Sequence, residues 1–165
     1  MSYVIILRGP AGAGKTLIGK RLASNLEGEC IHIDEVLKEN GLDYIVGERC
    51  VPEKNLFKVN DMISQHVKKQ LQKGKMIVLE GNFYHKSQIK DLFEKIPGKF
   101  FAFTLKASLD ECVNRDTKRK GIGKERVEDV FRLVSAFDYG TVIDTNKKTP
   151  AVIVKEIMTY LPRPE

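Results

Sequence analysis

Leu7-Arg8-Gly9-Pro10-Ala11-Gly12-Ala13-Gly14-Lys15-Thr16 is the stretch on which the reading of this chain turns. Gly9, four further residues, then Gly14, Lys15 and Thr16 make the full pattern of a phosphate-binding loop. Upstream, the apolar run Tyr3 to Leu7 reads as a buried strand feeding the loop. Downstream, Leu17-Ile18-Gly19-Lys20-Arg21-Leu22-Ala23 reads as the helix that leaves it. The glycines let consecutive backbone N–H groups curl around a polyphosphate, and the helix start adds roughly half a positive charge. Gly9, Pro10, Ala11, Gly12, Ala13, Gly14, Lys15 and Thr16 are therefore candidate nucleotide-binding residues. Lys15 supplies a full charge to the β- and γ-phosphates, and the Thr16 hydroxyl is a hard oxygen donor suited to Mg²⁺.

Around this loop the composition is that of one ordinary globular domain, 165 residues at 42% hydrophobic and 30% charged, read as a single unit over 1–165. There is no charged segment followed by a long apolar stretch at the N-terminus. No run approaches the roughly 18 apolar residues of a membrane span, so a soluble, cytoplasmic protein is expected. Cys30, Cys50 and Cys112 are odd in number and far apart, which fits neither a disulfide framework nor a zinc site. The net charge of +6 is concentrated between Arg115 and Arg126, where six basic residues face Asp116 and Glu125. A polyanion is the expected contact of that segment; a phosphate-rich small ligand explains it as well as nucleic acid does.

Beyond the first helix, Cys30-Ile31-His32-Ile33 reads as a second strand running into Asp34-Glu35. Residues 38–58, with Gly41, Gly47 and Pro52, read as a mobile excursion broken by at most one short helix. From Val59, the positions Met62, Ile63, Val67 and Leu71 give a helical stripe that Gly74 stops. Met76 to Leu79 is a third strand ending in Glu80-Gly81-Asn82, after which Ser87 is the expected cap of another helix. Phe100 to Leu105 is a fourth strand, apolar on both faces as central parallel strands are. Ser108 and Glu111 form a capping box for a helix carrying Arg115 and Arg119 on one face, and Gly121-Ile122-Gly123 interrupts it. A helix with Val127, Val130, Phe131 and Val134, a short strand over 141–144 and a last helix capped by Thr149-Pro150 follow. Strands alternating with helices predict a parallel sheet covered on both sides, a three-layer α/β fold.

Asp34 and Glu80 are each the first acidic residue after an apolar strand, which puts both carboxylates at the sheet edge where Lys15 lies. Glu80 is the candidate to hold Mg²⁺ through a water, and Asp34 the candidate to accept the proton of an attacking hydroxyl. Arg115 and Arg119, beside a glycine-hinged basic segment, fit a lid over about 115–126 whose planar guanidinium groups meet the spread charge of a transferring phosphoryl group. Lys15, Asp34, Arg115 and Arg119 are thus the candidate catalytic set.

Together these residues resemble the P-loop kinases of the nucleoside-monophosphate kinase type, which include shikimate, gluconate and adenylylsulfate kinases and the polynucleotide-kinase and zeta-toxin-like group. The resemblance implies a five-stranded sheet of order 2-3-1-4-5 and transfer of the γ-phosphate of ATP, with Mg²⁺. It further implies that Asp34 is the acceptor-side Asp and that Glu80-Gly81 stands where many members have Asp-Gly. Arg115 and Arg119 match the Arg, three residues, Arg pattern of the family's lid. The turn Asp144-Thr145-Asn146-Lys147 is similar to the one beside the adenine, so Asn146 and Arg115 join the ATP-binding set. The acceptor stays open between a small hydroxyl compound and a nucleotide, with Asp34, Arg49 and Asn82 as candidate contacts. Two alternatives remain at this point: a nucleotide-dependent regulatory ATPase, and a kinase of a nucleic-acid 5′-hydroxyl.

Overall fold

The computed structural model describes residues 1–163. Its frame is a parallel sheet built from β1 (Tyr3–Arg8), β2 (Glu29–His32), β3 (Ile77–Gly81), β4 (Lys99–Lys106) and β5 (Thr141–Asp144), in the order β2-β3-β1-β4-β5. That is the order the resemblance implies. Every residue of β1 is buried, as expected of a central strand with helices on both faces. The flanking helices are α1 (Lys15–Asn25), α2 (Ile33–Glu39), α3 (Glu53–Gln72), α4 (Lys86–Lys95), α5 (Leu109–Lys118), α6 (Lys124–Val134) and α7 (Pro150–Met158).

The alternation of β1 divides the core. Tyr3, Ile5 and Leu7 pack with Ile18 and Leu22 of α1 and Ile153 and Ile157 of α7 on one face. On the other, Val4 and Ile6 meet Leu37, Val59, Val67 and Ile89 from α2, α3 and α4. A smaller cluster of Ala11, Cys112, Val127, Val130 and Val134 seats α5 and α6 against the loop after β1. No helix among the described residues is long and apolar enough to cross a membrane.

Local signals account for several boundaries. Ser108 Oγ accepts from Glu111 N–H at 3.2 Å and Thr149 Oγ1 from Val152 N–H at 3.3 Å, so both expected caps form. Glu111 does not complete its box; its carboxylate pairs with Arg115 Nε at 3.0 Å. Three expectations are corrected. The second strand stops at His32, and Ile33, Asp34 and Glu35 open α2. The excursion narrows from 38–58 to 40–52, because α3 starts at Glu53. The first turns of α3 bury Asn55 and Asn60, whose amides donate to Leu42 O at 3.1 Å and Gln88 O at 3.0 Å, so the buried stripe continues through polar residues. Finally, α4 begins at Lys86 behind His85, without a side-chain cap, and Ser87 lies inside it.

Candidate active site

In register, His32 lies opposite Glu80 and Glu80 opposite Leu7, so the ends of β2, β3 and β1 converge at one edge of the sheet. Parallel sheets bind ligands at that edge, and the loop after β1 lies there. Gly12 and Gly14 adopt φ of +83° and +91°, left-handed values that favour glycine. A Cβ on Gly12 would lie 2.4 Å from Cys112 O, so the loop rests directly on the backbone of α5. Lys15 is buried and its Nζ donates to Pro10 O across the loop at 3.2 Å.

A cavity of about 680 Å³ opens beside the loop. Lys15 and Thr16 line it from α1, Asp34 from α2, and Glu80 and Asn82 from the end of β3; Arg49 enters from the excursion and Arg119 from the end of α5. With Ala11 of the loop, eight sequence candidates thus share one cavity wall. Arg115 and Asn146 stand apart from it. Arg115 Nη1 donates to Gly12 O and Thr145 Oγ1, both at 3.3 Å, and Nη2 to Thr145 O at 3.0 Å. Asn146 Oδ1 accepts from Ser108 N–H at 2.9 Å, which ties the turn after β5 to the start of α5. The two lid arginines therefore diverge: Arg115 braces the loop, whereas Arg119, the residue after α5, is half-exposed beside the cavity.

Arg119 is held from behind. Its Nη2 lies 3.1 Å from Asp116 Oδ1, a carboxylate that also accepts from Ile122 N–H at 3.0 Å and Gly123 N–H at 2.9 Å. These donors hold the buried Asp116 below its usual pKa against the cost of burial. The 119–123 turn is consequently a compact knot around one charge.

Burial dominates the electrostatics at the strand ends. Asp34 is pushed up to about 6, first by desolvation, with Glu80 adding to the rise and Lys15, Asn82 N–H and His32 opposing it. Such a carboxylate is a usable base near neutral pH. Glu80 is buried; its Oε2 accepts from His32 Nδ1 at 2.7 Å and from Thr16 Oγ1 at 3.5 Å. Burial pushes the Cys30 thiol up to about 12, so it is packing rather than a nucleophile.

Four residues of this region carry no signal that identifies their role in sequence. His32 is simply the last residue of β2. Tyr84 follows the strand in a stretch that reads equally well as a source of polar contacts and as a surface turn. Asp116 is one acid within a basic run. Arg8 is wholly buried: it donates to Phe137 O at 2.8 Å, Val134 O at 2.9 Å and Phe83 O at 3.4 Å, and stacks 4.2 Å from the Phe137 ring centroid. Burial lowers its pKa to about 10, which leaves it charged at the carbonyl end of α6. It connects the residue just before the loop to the C-terminal end of α6.

Comparison with known proteins agrees with this geometry. The chain is 27% identical to a cytidylate kinase of Saccharolobus islandicus over 174 residues, covering 96% of this chain and 90% of that protein. A sugar kinase from Janibacter superposes with a TM-score of 0.76 at 17% identity, over 97% of this chain and 94% of the other. The shikimate kinase of Acinetobacter baumannii, solved with shikimate, superposes with a TM-score of 0.64 at 18% identity, over 95% and 91% of the two chains. At those identities the two structures attest a shared fold. Residues 4–136 match the family described as AAA domain, so the chain belongs to that family and is an enzyme of the P-loop kinase type.

Proposed function

We propose that the protein is an ATP-dependent phosphotransferase that moves the γ-phosphate to a hydroxyl of a small molecule or a nucleotide, with Mg²⁺. The observation that carries this reading is Asp34: a carboxylate raised to about 6, in the same cavity as Lys15. The cavity of about 680 Å³ beside that base has room for an acceptor far larger than the water that hydrolysis would use.

The loop N–H groups and Lys15 would hold the β- and γ-phosphates, and Arg119 would meet the equatorial oxygens of the group in flight. Asp34 would orient the acceptor hydroxyl in line and take its proton as the new O–P bond forms and the bond to the β-phosphate breaks, leaving ADP. Thr16 and Glu80 fit a hard cation, being two oxygen donors 3.5 Å apart at the loop. Among the described residues no cluster of three His, Cys, Asp or Glu could hold a metal alone, which suits an ion shared with phosphates and water. When bound, Mg²⁺ would neutralise charge on the β- and γ-oxygens. Glu80 Oε2 is already engaged by His32, which favours contact through water.

Incubation of the protein with Mg-ATP and a metabolite extract tests the reading. Mass spectrometry should find a species heavier by one phosphoryl group that is absent with Lys15→Ala; release of inorganic phosphate alone would point to a regulatory ATPase instead.

A further inference from the structure

We propose that Tyr84 determines acceptor specificity, its phenol donating a hydrogen bond to an oxygen of the acceptor that neighbours the hydroxyl facing Asp34, and that Asn82 is the positioning residue for both groups. The inference rests on the phosphotransferase reading and deepens it: the acceptor is a polyol, sugar-like or ribose-like, with oxygens on adjacent atoms.

Asn82 reaches both partners. Its backbone N–H is close enough to the Asp34 carboxylate to favour the charged form, and its Nδ2 donates to Tyr84 Oη at 2.9 Å. The second bond uses a lone pair of the phenol, so the phenolic hydrogen must point elsewhere. Among the described residues it finds no acceptor, although Tyr84 lines the same cavity as Asp34. The Tyr84 ring packs against two of the three core clusters, which fixes where its hydroxyl lies. Burial, and then the charge of Asp34, push the phenol above its ordinary pKa, so it remains a donor across the working range. Asn82 Oδ1 is buried without a partner, a cost that structures accept mainly where a side chain has another task. One donor fixed beside one base, both attached to the same asparagine, matches two neighbouring oxygens of one ligand.

The product formed by the wild-type protein in the extract is first identified, and that acceptor is then used for steady-state kinetics with Tyr84→Phe, Asn82→Ala and the double variant. Tyr84→Phe keeps the ring and its packing. It should leave Mg-ATP affinity and acceptor-free hydrolysis unchanged while raising the acceptor KM roughly tenfold or more, the value of a lost hydrogen bond in a closed site. A deoxy analogue lacking the neighbouring oxygen should no longer distinguish wild type from Tyr84→Phe. Asn82→Ala should also raise KM, and adding it to Tyr84→Phe should raise KM little further, because the two act on one contact. A wild-type KM in Tyr84→Phe, or parallel loss of Mg-ATP affinity, would overturn the proposal. A wild-type protein that phosphorylates nothing overturns the phosphotransferase reading, and this inference falls with it.

Discussion

The wall of the site from Gly9 to Arg115 is held by backbone, whereas the wall formed by residues 40–52 and α6 sets exposed side chains over a few buried valines. On the first, Gly12 rests on Cys112 O, and Arg115 clamps Gly12 O and Thr145. On the second, Tyr44 and Ile45 are over two-fifths exposed and Val46 is 92% exposed, and a contact joining that stretch to α6 is Arg126 over the Tyr44 ring at 4.3 Å. The difference follows from what each wall meets. A triphosphate has one shape, so the groups that bind it can be backbone packed without freedom. An acceptor differs from one kinase to the next, and long side chains on a loosely held stretch can change without disturbing the sheet.

Substitutions on the two walls should separate accordingly. Gly12→Ala has the largest expected effect, because φ of +83° and a Cβ 2.4 Å from Cys112 O leave the loop nowhere to go. Strain of about 3 kcal/mol would lower Mg-ATP affinity by roughly 100-fold, and transfer should become undetectable. Calorimetric titration with Mg-ATP checks this, and wild-type affinity would break the claim that the loop is fixed by α5. Arg126→Ala has the smallest. Loss of one exposed cation-π contact of about 0.5–1 kcal/mol should lower Tm by only ~1–4 °C and leave Mg-ATP affinity unchanged. A fall well beyond that in a thermal scan would show that the 40–52 wall belongs to the folded frame.

The same contrast explains what could be read from the chain. The loop was legible because its function lies in consecutive backbone groups, and the strands because apolar runs of four to six residues bounded by turn signals have few other readings. That Asp34 and Glu80 lie beside the loop could be read from their place after strands. Arg115 and Arg119 looked equivalent at a spacing of four, yet α5 ends between them, and only the distant partners Thr145 and Asp116 give them separate tasks. The start of α3 was hidden because Asn55 and Asn60 occupy buried positions by hydrogen bonding rather than by being apolar. Arg8, His32 and Tyr84 act through contacts 48 or more residues away or through a neighbour's amide, and no local pattern records such pairs. The lid also looked like a loose glycine hinge, whereas the Asp116 carboxylate gathers its turn into a knot.

Phosphoryl transfer with Asp34 as base is the central claim, and the pH dependence of kcat/KM for the acceptor tests it most directly. Because burial raises the Asp34 carboxyl to about 6, it is protonated below that pH and cannot accept the hydroxyl proton. Activity should therefore fall as pH drops through about 6 and be level above it until another group titrates. Asp34→Asn should bind Mg-ATP as the wild type does, lose roughly 10²–10⁴-fold in transfer at pH 8, and show no limb near 6. The raised pKa also fixes the sign on stability: the charged carboxylate is unfavourable to the fold above about pH 6, so this variant should melt no lower than wild type at pH 8, which excludes unfolding as the cause. An Asp34→Asn protein that retains full transfer, or one that loses Mg-ATP binding instead, would contradict the account.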